Sequence, residues 1–255
     1  MDLDAVTARV RDDVSASEAV DPIAVRFLLS QYAATGCDEL AAVVGAALGR
    51  ALDQPDTADE RVEWLLLFAD AADWSDDERL RATVARLLAA SDTGTPAAIE
   101  AVLRASTTIG DGARLGSAVD DLERLIGRGY EPGDGVASAD PFAVASALLT
   151  AFDVTGRLPY AMLAEELVQT ALRRHETTAD PVGDAASACR AAGVLCRLAA
   201  LHADAEYVQA AVITPGADYR ADGARLLTAH VARALDTTRA AALYGLALAQ
   251  WLGLH

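Results

Sequence analysis

Acidic and aromatic residues collect in and beside the three longest connections of the chain, 127–139, 176–183 and 214–221. Long ordered loops in a compact domain are uncommon and often functional. Asp134, Asp184 and Asp218 carry the right group for glycoside hydrolysis, which needs two carboxyl groups held at a set separation. Asp134 with Asp184, or Asp134 with Asp218, is the pairing these loops suggest. His230 adds a candidate general base on an inner wall, because imidazole titrates near neutrality. Around them Tyr130, Glu131, Asp140, Asp180, Tyr219 and Arg220 offer ring faces and hydrogen-bonding groups for a ligand. A plainer account competes throughout, since Asp in a solvated loop is also a good helix cap.

Other chemistries fail on spacing. His175, His202, His230 and His255 are too scattered to read as a metal site, so neither a metal nor a cofactor is expected. Cys189 and Cys196 lie about 10 Å apart by helical rise, too far for a disulfide, and read as small buried residues. Trp64 and Trp251 fall in apolar helices and read as core. Asp73-Trp74-Ser75-Asp76-Asp77 and Asp120-Asp121 have the composition of terpene-cyclase motifs but not the spacing. Both read as acidic first turns, favoured by the helix dipole.

The elements that hold these residues are helical hairpins. In DPFAVASALLTAFDVTGRLPYAMLAEELVQTALRRH, Asp140 can cap a helix with Pro141 in its first turn. Phe142, Ala145, Leu148, Leu149 and Phe152 recur at helical spacing, and Thr155-Gly156 is the stop. The return helix turns Leu163, Leu167 and Ala171 inward, with Glu165, Glu166 and Gln169 outward. Asp21-Pro22 opens a second copy that stops at Thr35-Gly36, and the two copies are separated by about three units of roughly 40 residues. Between them lie capping boxes at Thr57/Glu60 and Ser75/Glu78, and a Thr95-Pro96 start whose turn is Gly110-Asp111-Gly112. Beyond the Asp140 unit come helix 185–201 with a short return near Tyr207, then a sixth hairpin from about Asp222 that returns as 240–254. Residues 2–15 add a short amphipathic helix through Val6, Val10 and Val14.

One all-α domain over residues 1–255 follows, with residues 1–20 as a lead-in and six hairpins over 21–255. The last helix, AALYGLALAQWLGL, is apolar on every side, so it must be buried. Closing a ring against the first hairpin would bury it, and a homo-oligomer interface would do so too. An open α-solenoid is the alternative architecture.

Six hairpins of this length resemble the (α/α)6 toroid of six-hairpin glycosidases and sugar epimerases. RFLLSQYAATG, ALLTAFDVTGRLPYAMLAEEL and AGVLCRLAALHADAEYVQAA most resemble the helical domain of thioredoxin-domain-containing spermatogenesis-associated family proteins. The Gly-Gly-Phe loops of that family are missing here, as is its thioredoxin-like domain, so no catalytic residue carries over from it. In such toroids the pocket is built from loops joining one hairpin to the next, which implies that the three long connections share one face.

Charge narrows the partners. The formal charge is −17 and every cation is Arg, with 38 acidic residues against 21 basic. Such a surface repels the nucleic-acid backbone and anionic membranes. The balance is that of a GC-rich genome or of a halophile's salt-adapted protein, and composition leaves both open. Met1-Asp2-Leu3-Asp4 lacks the start of a secretory signal, so a cytoplasmic address is expected. The combined reading is a non-catalytic or degenerate toroid that binds a small molecule, glycan or protein partner through its loop face. A carbohydrate-active enzyme, hydrolase or epimerase, using loop carboxylates is one alternative, and a helical-repeat interaction scaffold is another.

Overall fold

The structure, a computed structural model, describes residues 2–53, 60–131, 135–136, 140–177, 184–212, 214–232 and 236–253, with backbone alone at 131, 135–136 and 175–177. Its helices are α1 (Leu3–Ala16), α2 (Pro22–Thr35), α3 (Asp38–Leu52), α4 (Arg61–Trp74), α5 (Glu78–Ala90), α6 (Pro96–Ile109) and α7 (Gly112–Gly129). They continue as α8 (Pro141–Thr155), α9 (Leu158–Thr177), α10 (Ala185–Ala203), α11 (Ala205–Ala210), α12 (Tyr219–His230) and α13 (Thr238–Leu252). A two-residue antiparallel pair, β1 (Tyr130–Glu131) with β2 (Gly135–Val136), sets Tyr130 opposite Val136.

The sequence punctuation sets these boundaries. Asp21 and Asp140 each accept from backbone N–H groups ahead of a first-turn proline, and Thr95 caps α6 in the same way. Gly36, Gly110 and Gly156 end α2, α6 and α8 in the left-handed region, which costs glycine no side-chain clash. The capping at α5 differs from expectation. Asp77 accepts from the Arg79 N–H, while Ser75 only steadies Asp77. Thr57, of the other expected capping box, lies outside the described residues.

Helices α2, α4, α6, α8, α10 and α13 pack successively and α13 returns to α2, so they form a closed inner ring. Outside it stand α3, α5, α7, α9, α12 and α1: an (α/α)6 toroid. Burial follows the layer. Every residue from Phe142 to Ala151 in α8 is buried, because an inner helix has neighbours on all sides. Outer α5 buries only Leu80, Val84, Leu87 and Leu88, a single stripe.

Two expectations about order are corrected. The final helix is an inner helix, not the outer return of a sixth hairpin, which explains its all-round apolarity. Its outer partner is α1, so the lead-in helix completes the ring, while α12 belongs outside α10. Closure is tight: a Cβ on Gly245 would come within 2.5 Å of the Phe27 ring. Thr238 donates to Asp13 at 2.7 Å, and Arg239 reaches Glu63 at 2.9 Å, with Asp21 and Glu60 within 3.7 Å. No described helix is long and apolar enough to cross a membrane.

Candidate functional site

Charged residues of neighbouring inner helices pair with one another. Asp70 of α4 accepts from Arg26 of α2 at 2.5 Å and from Arg104 of α6. Burial alone would raise the Asp70 carboxyl, and the two guanidinium groups more than offset it, holding it below its ordinary value. On the other side, Arg197 of α10 donates to Asp153 at 2.7 Å and to Thr150 at 3.1 Å, and lies 3.9 Å from Glu100. One turn beyond Asp70, Asp73 takes the Thr108 hydroxyl at 3.3 Å. Burial raises its carboxyl above the ordinary value, the opposite direction to Asp70. Beside it Trp74 is 59% exposed, with Tyr32 at 6.5 Å between ring centroids.

At the end of the ring where the inner helices finish, α10, α12 and α13 border a cavity of about 500 Å³ that is open to solvent on one side. Arg197, His202, Asp218, Arg220, Gln250 and Trp251 are among its walls. The Arg220 guanidinium lies 5.4 Å from the Trp251 ring centroid, and the indole N–H donates to the Arg220 carbonyl at 3.1 Å. Asp218 caps α12 through the Ala221 N–H at 2.9 Å.

Behind this wall Glu165 is buried, 2% exposed, where the sequence pattern had placed it outward. Its Oε1 accepts from the Thr214 N–H at 2.8 Å, the Tyr219 hydroxyl at 2.8 Å and His202 Nε2 at 3.0 Å. Burial pushes its pKa up, and these three donors outweigh it, leaving the carboxyl below its ordinary value. A carboxylate only accepts, so it fixes the His202 tautomer with hydrogen on Nε2. Gln169 donates to the Tyr219 oxygen at 2.9 Å, and Tyr219 meets the His202 ring edge-on at 4.9 Å. Burial, together with the Glu165 charge, raises the Tyr219 hydroxyl.

Of the residues singled out from sequence, Asp218, Tyr219 and Arg220 come together at this cavity. Asp184 does not join them. It caps α10 through the Ser187 N–H at 2.8 Å, at the far end of a 19-residue helix about 28 Å long. Asp140 also lies at that far end, capping α8 and pairing with Arg190 at 2.8 Å. The start of α12 at Asp218 is therefore on the opposite face from the starts of α8 and α10, because connection 214–221 joins α11 to an outer helix. His230 ends α12, buried in the outer layer rather than on the inner wall. The Tyr130 hydroxyl donates to Glu166 at 2.6 Å on the outside of the ring. Asp134, Asp180 and the Glu131 side chain lie outside the described residues. No described cluster of three or more His, Cys, Asp or Glu could hold a metal ion.

Sequence reasoning missed Arg26, Asp70, Glu100, Arg104 and Arg197, and gave Asp73, Glu165 and His202 other places. A signal existed for Arg26, the one charge in the otherwise apolar α2, since a charge drawn into an apolar helix needs a partner. The acidic stretch at Asp73 is likewise not a first turn: Asp73-Trp74 closes α4, and Asp120-Asp121 lies within α7.

No protein-family model matches this chain, and no curated protein matches it in sequence. Among solved structures, the GH76A alpha-1,6-mannanase from Salegentibacter sp. HEL1_6 is similar at a TM-score of 0.68, with all of both chains covered and 10% identity. The likeness is one of fold, a toroid that a glycosidase also uses. The resemblance to spermatogenesis-associated proteins gains no support from these comparisons.

Proposed function

We propose that this chain is a ligand-binding toroid, one helical-repeat domain whose cavity between α10, α12 and α13 takes a small polar molecule such as a sugar. The observation that carries the reading is the composition of that cavity wall. A preformed concavity of about 500 Å³ presents convergent polar groups beside an indole, which is how small-molecule sites are built. Three carboxylates of the inner helices are engaged: Asp70 by two arginines, Glu100 and Asp153 by Arg197. Such paired groups bind and orient better than they shuttle protons. Fluorescence titration of the full chain with mono- and disaccharides tests the reading, with Trp251→Phe as the control. Saturable change that Trp251→Phe abolishes supports it, and a flat response across the panel refutes it.

A second reading, a carbohydrate-active hydrolase, is favoured by one observation. Asp73 takes only the Thr108 hydroxyl among the described residues and stands beside the exposed Trp74, a carboxylic acid next to an open ring face. The fold neighbour is named for its action on alpha-1,6-mannan, which makes that polymer the first substrate to offer. Release of reducing sugar that Asp73→Asn abolishes would establish turnover. Equal release by both proteins would dismiss it.

A further inference from the structure

The same cavity carries a narrower inference, which rests on the binding reading above. Two guanidinium groups line it against one carboxylate, that of Asp218, whose charge already faces the first turn of α12. Arg197 is committed to Asp153 and lies near Glu100. Arg220 is placed differently. Among the described residues it pairs with no carboxylate, although the chain has 38 acidic residues for 21 arginines.

Its guanidinium lies 5.4 Å from the Trp251 ring centroid, within cation–π range, and the indole N–H donates to the Arg220 carbonyl. A guanidinium is a planar fork of N–H donors that matches a carboxylate or a phosphate, and Arg220 has no carboxylate of the described residues to occupy it. Gln250, Asp218 and His202 stand around the same space, and they accept and donate as ring hydroxyls require. We infer that the cavity binds an anionic monosaccharide, a sugar ring bearing a carboxylate or a phosphate, with Arg220 as the anion anchor.

The net charge of −17 opposes any anion at long range, so the test is run near 0.15 M salt, where the Debye length is about 8 Å. The full chain is titrated by tryptophan fluorescence with glucuronate, glucose 6-phosphate, glucose and inorganic phosphate. At least one sugar anion is expected to bind roughly tenfold tighter than glucose, as a charge-assisted hydrogen bond supplies. Which of the two responds identifies the carboxylate or the phosphate as the natural group. Arg220→Gln should erase that preference, so that each sugar anion binds no more tightly than glucose does to the same variant, and Trp251→Phe should silence the signal.

Glucose matching both anions, or a preference that survives Arg220→Gln, overturns the inference and leaves sugar binding in place. Inorganic phosphate binding as tightly as glucose 6-phosphate overturns it also, since the sugar would then add nothing. No response to any of the three sugars removes the binding reading and this inference together. Should Arg220→Gln fail to fold, the anion-to-glucose comparison on the native chain still decides.

Discussion

Glu165 concentrates three donors on one carboxylate oxygen inside the protein, and its other oxygen, Oε2, is buried with no partner among the described residues. Replacing it with Ala strands the Tyr219 hydroxyl, the Thr214 N–H and His202 Nε2 together. A loss of about 3 kcal/mol is expected in urea unfolding, because breaking a buried charged network costs about that much. Glu165→Gln keeps an accepting oxygen, so it should lose less than half of this. The pH dependence has a definite sign. Glu165 and Asp70 both have folded-state carboxyls below the ordinary value, so at acid pH the unfolded chain binds more protons. Their stabilisation is complete above the ordinary carboxylate range and is lost as pH falls through the folded values. Asp70→Asn should therefore flatten the acid limb of a stability-against-pH curve and also lower neutral stability, since Arg26 and Arg104 lose their shared anion. An unchanged acid limb would show that the Asp70 pairs contribute nothing to folding. Asp73 runs the other way: its raised carboxyl makes ionisation unfavourable in the fold, so Asp73→Asn should cost no stability at neutral pH.

At the scale of the element, the join between α2 and α13 decides whether the ring shuts. Gly245 lets α13 lie against Phe27, which has no solvent exposure and cannot swing away. Gly245→Ala should improve the helix by somewhat under 1 kcal/mol in intrinsic terms, yet overpack the joint by about 1–3 kcal/mol. A net lowering of the denaturation midpoint is expected, and Phe27→Leu in the same chain should recover much of it in a double-mutant cycle. A more stable Gly245→Ala would mean that the joint has slack. The all-round apolarity of α13 was legible, whereas α8 reads as a single apolar stripe although every residue from Phe142 to Ala151 is buried. Asp-Pro starts and Gly stops located α2 and α8 to the residue. Which helix stood in which layer at the ends was not legible, since α1 and α13 become neighbours only on closure. Glu165 was misread for a related reason. By helical spacing it belongs beside Glu166, and its partners His202, Thr214 and Tyr219 are 37, 49 and 54 positions away. Long-range polar pairs leave no periodic trace, whereas Asp218, Tyr219 and Arg220 stood out through the loop that carries them.

For the whole molecule, closure has to hold against a charge of −17. Arg239 is central to that balance, since it sits among Asp21, Glu60 and Glu63 where the first and last inner helices meet α4. Its side chain is 36% exposed, so each contact is partly screened and modest, but removing the cation leaves three carboxylates facing one another. At about 10 mM salt the Debye length is near 30 Å and repulsion acts across the whole toroid; at about 1 M it shrinks to roughly 3 Å. The native chain should therefore melt several degrees higher in molar KCl than in dilute buffer, as self-repulsion is screened. Arg239→Ala should lower the midpoint in dilute buffer and regain most of the loss in molar KCl, because salt substitutes for the missing cation. Scanning calorimetry of both proteins at the two salt levels checks this. A native midpoint indifferent to KCl would leave codon usage in a GC-rich genome as the account of the acidic composition. A variant deficit that persists in molar KCl would mean that Arg239 holds the ring through packing of its stem rather than through its charge.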